Sequence, residues 1–349
     1  MTSIKLTKLA LAGMASLFIT SGTLQAEEPV RLKMQSAYAA GLPALGETAK
    51  YFADTVNTIS DQTVRVKFYD PGKLVPTLQI FDAVQAGSID AGYSWPGYWM
   101  GKIPALALFA AVPFGPEAND FLSWIYHGDG LKLWRELYEK QGVVPVPCGV
   151  LAPEAAGWFR EPIDTVEQFK GMKIRFGGLG GDVMKKLGAS VTVLAAGDIM
   201  PNLERGVIDA TEYSMPAIDE ILGFYKVAKN YYFPGWHQPS SILELIVNKE
   251  KWDSLSNLQR ASIETACQSA TLWGMTKGIA DQPKALKTIK SHGVKIHVWP
   301  DEALAKFRKA SDEVLAENAA KDPDFKRVLD SMNGFMSATA EWRGIAYAR

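Results

Sequence analysis

Apolar residues recur along the chain with two different spacings. Over residues 30–34, 64–68 and 172–176 they alternate with polar residues, which predicts β-strands that each bury one face. Over residues 45–59 they fall every third or fourth position and predict an amphipathic helix. Strands that alternate with helices predict an α/β fold with largely parallel sheets.

One short pattern occurs twice. AVQAGSIDAGYS at residues 83–94 aligns with NLERGVIDATEY at residues 202–213, and in both a glycine suited to a left-handed helix end, Gly87 or Gly206, precedes Ile-Asp-Ala. A strand, a turn and a helix are predicted upstream of each copy, which favours two structurally related lobes. The alternative, that Gly-x-Ile-Asp-Ala is a common helix-to-strand connection, stays open.

The two predicted lobes meet at a cleft. Ligands of doubly wound sheets bind beyond the carboxyl ends of the strands, so residues 93–99 and 212–213 are predicted to face this cleft. No low-complexity linker separates the lobes, which predicts more than one chain crossing and a hinge. The predicted bounds are residues 27–150 for lobe I with part of 240–349, residues 151–238 for lobe II with part of 250–349, and residues 239–349 for a strand crossing and the C-terminal helices.

The first 26 residues have the pattern of a secretory signal peptide. Lys5 and Lys8 precede an apolar run over residues 9–19 that is too short to span a bilayer, and a polar stretch ends at Ala26. Cleavage after Ala26 would release the chain into the periplasm. An uncleaved anchor is the alternative, and the mass of the mature N-terminus decides between them.

Charge, cysteine and histidine content narrow the function. Without the leader, the 37 basic residues fall by two to 35 against 38 acidic ones, a formal charge of −3 that attracts neither nucleic acid nor anionic membrane. Two cysteines, Cys148 and Cys267, exclude a disulfide framework; a single bridge stays open, but two small buried hydrophobic side chains are expected. The four histidines form no HxxxH-type pair, so a zinc site is not expected.

A cation stands where a predicted strand meets glycines. In KGMKIRFGG, residues 170–178, Arg175 occupies the carboxyl end of the strand beside Gly177 and Gly178, where a ligand can approach the backbone closely. Its planar guanidinium suits bidentate contact with a carboxylate. The glycines do not form a dinucleotide fingerprint, because Val183 stands where its third glycine is needed.

Two carboxylates are candidates for the same cleft. Glu212 ends the second Ile-Asp-Ala strand, and Glu154 lies just before the second lobe begins. They could perform acid/base chemistry or, equally, hold a hard cation together with the oxygens of a bound acid. No nucleophile elbow and no Ser-x-x-Lys motif accompanies them, which argues against an enzyme. Tyr98 and Gln238 lie in aromatic-rich connections and are predicted to orient a ligand there.

Five longer motifs are spread over the chain: AVPFGP at 111–116, GWFREPI at 157–163, KGMKIRFGGLGG at 170–181, LERGVIDATEY at 203–213 and NYYFPGWHQPSS at 230–241. Together they resemble the periplasmic solute-binding subunit of a tripartite ATP-independent periplasmic (TRAP) transporter. The resemblance implies a two-lobed α/β periplasmic binding protein fold, class II-like, with hinge-connected lobes and long C-terminal helices. The pattern is most similar to the subgroup that binds 2-oxo acids such as pyruvate with a metal ion.

The resemblance also implies roles for single residues. Arg175 would hold the substrate carboxylate, and Tyr98 would contribute from lobe I. The metal ion, calcium or sodium, would lie among Glu212, the backbone of Tyr213, Glu154 and Gln238, with Glu154, Glu212 and Gln238 also lining the substrate pocket. Glu154 stands where the subgroup commonly has glutamine, so a second carboxylate at the ion would favour calcium over sodium.

The function implied by this resemblance is capture without chemistry. A small monocarboxylate, a 2-oxo acid or a 2-hydroxy acid, would be bound for delivery to the membrane subunits of a TRAP transporter. Two alternatives stay open: a periplasmic enzyme that acts on a small acid through Glu154 or Glu212, and a ligand sensor that presents its closed form to a receptor. The C-terminal helices could also mediate a homodimer.

Overall fold

A computed structural model describes residues 28–346, so the predicted leader lies outside the described residues. The strands are β1 Val30–Ser36, β2 Val64–Tyr69, β3 Ala91–Ser94, β4 Val143–Leu151, β5 Gly157–Phe159, β6 Lys173–Arg175, β7 Ser190–Thr192, β8 Ala210–Thr211, β9 Asn230–Phe233, β10 Ser241–Asn248 and β11 Lys295–Val298. The helices are α1 Gly46–Ile59, α2 Ile80–Gln85, α3 Ala107–Ala110, α4 Ala118–His127, α5 Gly130–Glu139, α6 Gly178–Lys186, α7 Ala196–Glu204, α8 Pro216–Leu222, α9 Lys249–Asp253, α10 Asn257–Ser291, α11 Asp301–Lys321, α12 Pro323–Ala338 and α13 Ala340–Ile345.

The strands form two sheets, which confirms the α/β class and the two-sheet architecture. Sheet A has the order β2-β1-β3-β10-β4, and sheet B has the order β11-β9-β5-β8-β6-β7. Parallel pairs such as β1–β2 and β6–β8 occur in both. Each sheet also holds one strand antiparallel to both neighbours, β10 in sheet A and β5 in sheet B. The sheets are mixed rather than largely parallel, because these two strands enter from the other sheet.

The repeated Ile-Asp-Ala pattern has the same structural role in each sheet. Gly87 and Gly206 have φ of 69° and 70°, the left-handed conformation expected after α2 and α7. The aspartates that follow accept a backbone N–H from the neighbouring parallel strand: Asp90 from Lys33 at 2.7 Å, and Asp209 from Lys173 at 2.9 Å. The pattern therefore fixes a helix end and the start of a strand pair at once.

Helix α10 is a 35-residue element that contacts both halves of the molecule. It begins at a capping box in which Ser256 and Gln259 satisfy each other's backbone N–H groups. Its buried face packs against β4 and α1 on the sheet A side and against α8 on the sheet B side. Within residues 28–346, none of the helices combines the length and the hydropathy that a membrane span requires.

One expectation about the cysteines is wrong. Cys148 of β4 and Cys267 of α10 form a disulfide, with their Cα atoms 4.2 Å apart. The two positions are 119 residues apart in sequence, and only the packing of α10 on β4 brings them together. They are buried as expected, but they join the two elements covalently instead of filling space as separate hydrophobic side chains.

Candidate functional site

Two chain crossings between the sheets meet in one buried cluster. The crossing from β4 to β5 contains Glu154, and the crossing from β9 to β10 contains His237 and Gln238. Gly235 donates its backbone N–H to the carbonyl oxygen of Glu154 at 2.9 Å. The Gln238 Nε2 donates to Glu154 Oε2 at 2.7 Å. Glu154 and Gln238, both predicted from the sequence, therefore meet where the chain passes between the sheets.

Arg175 and Glu212 form a buried ion pair at the end of sheet B. Arg175 lies opposite Thr211 in the β6–β8 pairing, so Glu212 follows directly at the end of the adjacent strand. The Arg175 Nη1 donates to Glu212 Oε2 at 2.8 Å and to the Glu212 carbonyl oxygen at 2.7 Å, and both side chains are at most 3% exposed. Burial acts to raise the pKa of Glu212, but the charge of Arg175, together with smaller effects of His237 and the Gly177 N–H, holds that pKa below its ordinary value.

The Glu154 carboxyl has a different electrostatic environment. Its oxygens accept hydrogen bonds from Ser214 Oγ at 2.8 Å and Gln238 Nε2 at 2.7 Å, and neither of these donors is a cation. Burial, followed by the nearby charge of Glu212, raises the pKa of Glu154 well above its ordinary value. The site thus pairs one carboxylate stabilised by a cation with one carboxyl that favours the protonated form.

Aromatic rings close the cluster from the sheet A side. Trp95 and Tyr98 follow β3, and they line the cavity beside the ion pair. The Tyr213 ring lies on the opposite side, with its centroid 5.1 Å from the Arg175 guanidinium carbon. A Cβ at Gly178, whose φ is 59°, would lie 2.9 Å from the Trp95 ring. The glycines therefore make room for a tryptophan from the other sheet, where the sequence suggested only room for a ligand.

The cavity among these groups is small, about 30 Å³. A volume on the order of 10–15 Å³ of this kind already admits one water molecule, so the cavity can take a small polar group. Three of its lining residues have a buried polar atom without a hydrogen-bond partner among the described residues: Trp95 Nε1, Tyr213 OH and Ser241 Oγ. Buried polar atoms are normally paired, so these atoms mark a place suited to a small polar occupant.

A buried carboxyl on the sheet B side supports the site from behind. Asp219, in the first turn of α8, accepts hydrogen bonds from Trp158 Nε1 at 2.8 Å and Tyr231 OH at 2.9 Å. It also accepts the backbone N–H of Ser214 at 3.2 Å. Burial raises the pKa of Asp219 to about 7. Through Ser214, this carboxyl fixes the hydroxyl that contacts Glu154.

The sheet A side has a matching buried carboxyl. Glu244 of β10 accepts hydrogen bonds from Trp99 Nε1 at 2.8 Å, Tyr138 OH at 2.7 Å and Ser94 Oγ at 3.2 Å. Burial raises the pKa of Glu244 to about 7. Because Trp99 directly follows Tyr98, Glu244 holds the segment that carries aromatic rings to the cavity.

His237 is the site residue that sequence reasoning missed. Its side chain is 1% exposed, and its Nε2 lies 3.4 Å from Glu212 Oε1. One ligand atom from each of Glu154, Glu212 and His237 falls within 4.8 Å of the others. A search for paired histidines fails here because the partners of His237 are glutamates from two other segments. The one available signal was its position next to Gln238.

The chemistry of the cluster is that of binding. Its groups are one cation, two carboxyls, an imidazole, an amide and aromatic hydroxyls. A guanidinium beside a small polar cavity suits a carboxylate ligand, and the convergent oxygen and nitrogen atoms suit a metal ion. Of the residues predicted for the site, Arg175, Glu154, Glu212, Tyr98, Tyr213 and Gln238 all line this cavity.

The chain is similar to known solute-binding proteins. The family model for bacterial extracellular solute-binding protein, family 7 (DctP) matches residues 36–322. The monocarboxylate 2-oxoacid-binding periplasmic protein of Nostoc sp. is 36% identical over 85% of this chain and 82% of its own length.

Two solved structures have the same fold over nearly the whole chain. A TRAP transporter solute-binding protein from Bordetella bronchiseptica, a mixed occupancy dimer with copurified calcium and picolinate, has a TM-score of 0.89 and 33% identity, covering 91% of this chain and 95% of that one. A TRAP periplasmic solute-binding protein from Pseudoalteromonas atlantica with bound sodium and pyruvate has a TM-score of 0.87 and 33% identity, covering 90% and 96%.

Proposed function

Because this chain belongs to the bacterial extracellular solute-binding protein family 7, we propose that it captures a small 2-oxo acid such as pyruvate, with a metal ion, for delivery to a TRAP transporter. The family is one of solute-binding proteins, and the chain is not an enzyme. The Nostoc relative supports the 2-oxo acid class, and the two solved relatives support the transporter type. A 2-hydroxy acid is the second ligand class that the site could take.

One observation carries the proposal: Arg175 has a free edge at a small cavity. Its Nη1 is engaged by Glu212, and its Nε donates to the Leu194 carbonyl oxygen at 3.4 Å. Within residues 28–346 its Nη2 makes no hydrogen bond, and Arg175 lines the cavity. We propose that this edge of the guanidinium binds the ligand carboxylate, with Tyr98 and Gln238 orienting the rest of the molecule.

The residues present fit a bound cation. Ligand atoms of Glu154, Glu212 and His237 lie within 4.8 Å of one another. Gln238 and Tyr213 line the cavity beside Glu154 and Glu212. We propose Glu154, Glu212, Gln238 and the Tyr213 backbone as the residues that hold calcium or sodium. A cation there would supply positive charge for the ligand oxygens. A cation that displaced the proton of Glu154 would face two ionised glutamates and a ligand carboxylate against a single arginine, so a divalent ion would balance the charge, which favours calcium.

The location we propose is the periplasm, reached through a leader cleaved after Ala26. The Nostoc relative is a periplasmic protein. The Cys148–Cys267 disulfide supports the same location, because such bonds persist in oxidising compartments. The measured mass of the mature chain tests the cleavage point.

Closure of two lobes is the proposed mechanism of capture. We place lobe I in residues 27–150 and lobe II in residues 151–238, with residues 239–349 shared between them. Ligand binding would favour the closed form, and the closed form would then dock on the membrane subunits. Exposed Trp342 and Ile345 on α13 support a homodimer through the C-terminal helices, which light scattering tests.

A thermal-shift screen of ligand-free protein tests the proposed function. Pyruvate, lactate, a C4-dicarboxylate and a sugar acid are each added with calcium, with sodium or with a chelator. A ligand present at a hundred times its dissociation constant stabilises the protein by about 2.7 kcal/mol. We expect this shift with pyruvate, reduced by the chelator. A shift with the dicarboxylate or the sugar acid alone would contradict the 2-oxo acid class.

A further inference from the structure

We propose that His237 is a further side-chain ligand of the metal site, beside those of Glu154, Glu212 and Gln238, and that the site therefore also takes divalent first-row transition ions such as zinc or cobalt. This inference rests on the proposed function only in placing a cation among the same carboxylates. The inference adds a nitrogen ligand to the site, and with it the divalent transition ions, which the oxygen ligands alone do not favour.

The first observation is that the imidazole is buried without a hydrogen-bond partner. His237 is 2% exposed, and neither Nδ1 nor Nε2 has a partner among the described residues. Its ring packs edge-on against Phe176 at 4.7 Å and against Trp236 at 5.6 Å, and neither of these rings makes a hydrogen bond to an imidazole nitrogen. Leaving a buried polar group unpaired is costly, so the buried imidazole is expected to have a partner when the site is filled.

The second observation is the direction of the imidazole. Its Nε2 lies 3.4 Å from Glu212 Oε1, on the carboxylate oxygen that Arg175 and Gly177 do not use. Two donors that each lie about 2.1 Å from a shared ion are separated by about 3.0–3.4 Å at octahedral or tetrahedral angles. The observed separation fits two ligands of one ion.

The donor set then decides the class of ion. Calcium and sodium sites are built from oxygen atoms, whereas imidazole suits zinc, copper, iron and nickel. One imidazole with the carboxylates of Glu154 and Glu212 is a mixed nitrogen and oxygen set, all within 4.8 Å. Such a set holds divalent transition ions without losing its capacity for calcium, because the two carboxylates serve both.

A structural role for His237 is the competing explanation. In that case the imidazole would only donate a hydrogen bond to Glu212 and keep its carboxylate in place. His237→Gln separates the two roles, because the amide group of glutamine can still donate from the position of Nε2 but is a poor ligand for transition ions. His237→Phe removes both nitrogens and keeps an aromatic ring beside Phe176.

The test uses tag-free, full-length mature protein stripped of metal with a chelator. Calorimetry measures the affinity for zinc, cobalt and calcium in the unchanged protein and in His237→Gln, with pulsed electron paramagnetic resonance on the copper-loaded forms. We expect the glutamine variant to lose zinc and cobalt affinity by at least about 100-fold, beyond what loss of an outer-shell group causes. Calcium affinity should change little, and the imidazole nitrogen signal should disappear. His292→Gln, at an exposed histidine, is the matched control and should leave all of these unchanged.

Each other outcome overturns the proposal. Equal loss of zinc and calcium affinity in His237→Gln would assign the residue to holding Glu212. Unchanged zinc affinity in both His237→Gln and His237→Phe would remove His237 from the site. Failure of the proposed function is a separate result: it would appear as absence of pyruvate binding with every ion, whatever His237→Gln does to zinc.

Discussion

The two halves of the site differ in chemistry although they are built from similar sheets. The sheet B half supplies charge, with Arg175 and Glu212 on adjacent strand ends. The sheet A half supplies rings, with Trp95 and Tyr98 after β3. The charged half can recognise an anion, and the aromatic half can exclude water from it, which strengthens every electrostatic contact inside. Recognition of the anion and exclusion of water from the cavity thus depend on different halves of the site.

Each half of the site is supported by a buried carboxyl. Asp219 on one side and Glu244 on the other each accept a tryptophan N–H and a tyrosine O–H in a buried position. Asp219 also accepts the N–H of Ser214, whose hydroxyl contacts Glu154. Glu244 acts on the site only through the aromatic segment. Ligand affinity should therefore be more sensitive to the sheet B support than to the sheet A support.

The largest expected effect is on the charged half. Arg175→Ala should weaken ligand binding by about 2–5 kcal/mol, because it leaves a charge buried without its partner. Arg175→Lys should lose part of that affinity, since the planar fork is absent. Calorimetric titration with pyruvate measures both variants. The control is Lys173→Ala, which changes an exposed basic residue on the same strand. Equal pyruvate affinities in all of these proteins would show that the sheet B half does not recognise the ligand.

The disulfide should stabilise the sheet A half without affecting recognition. Replacing both Cys148 and Cys267 by alanine should lower the free energy of unfolding by about 2–4 kcal/mol, since the loop that the bond closes is long. Urea unfolding measures the loss, and pyruvate affinity should remain. As an independent comparison, the disulfide of the unchanged protein is reduced and the same unfolding measurement is repeated. If the double alanine variant lost pyruvate affinity as well as stability, the stability of the sheet A half and ligand recognition would not be independent.

The two supporting carboxyls predict a pH dependence. Their folded pKa values of about 7 lie above the ordinary 4.5 of Glu244 and 3.8 of Asp219, so the folded state holds protons that the unfolded state has released. Their contribution to stability is complete below the ordinary values and is lost as pH rises towards 7. In Glu244→Gln, the free energy of unfolding should therefore fall less steeply with rising pH, by up to about 1.4 kcal/mol per pH unit.

The two carboxamide variants should then differ at the site. Glu244→Gln keeps an acceptor for Trp99, and the Tyr138 hydroxyl can turn to accept from the new amide. Asp219→Asn keeps an acceptor for Trp158 and Tyr231 only by placing its NH₂ group against the Ser214 N–H. Asp219→Asn should therefore reduce pyruvate affinity, and Glu244→Gln should not. Denaturant unfolding from pH 4.5 to 8 with titrations at pH 7 measures both; the reverse order of affinities would overturn the comparison.

The smallest expected effect is on the aromatic half. Tyr98→Phe keeps the ring and removes one hydroxyl, so pyruvate affinity should fall by only about 0.5–1.5 kcal/mol. Calorimetry at two temperatures also shows whether the heat capacity change, which reports apolar burial, is preserved. A loss as large as that of Arg175→Ala would mean that the sheet A half recognises the ligand directly.

Sequence patterns predicted the parts of the fold that depend on local spacing. Alternation and helical periodicity located β1, β2 and α1, and Gly87 and Gly206 marked helix ends correctly. Arg175 and Glu212 were predicted at the cleft because each stands at the carboxyl end of a predicted strand, and the structure shows that these two strands are neighbours. Their roles in binding stay predictions until ligand titrations are made.

The remainder depends on contacts between distant segments. The Cys148–Cys267 bond needs α10 to lie on β4, and neither cysteine has a local signal for it. The antiparallel placement of β5 and β10 follows from the chain crossings, not from their apolar patterns. His237 joins the cluster only because two crossings and a strand end converge, so no residue spacing within one segment could indicate it.

Burial of the site sets a rate as well as an affinity. Arg175, Glu212 and Glu154 are at most 3% exposed, so under the proposed lobe closure a ligand arriving from solution would meet these groups only after the lobes part. As the ligand concentration rises, the rate of association should therefore reach a plateau that equals the rate at which the lobes open. The same frequency limits escape and fixes the residence time of the captured acid. A membrane partner that favours the open form would release the ligand faster without touching any group that holds it.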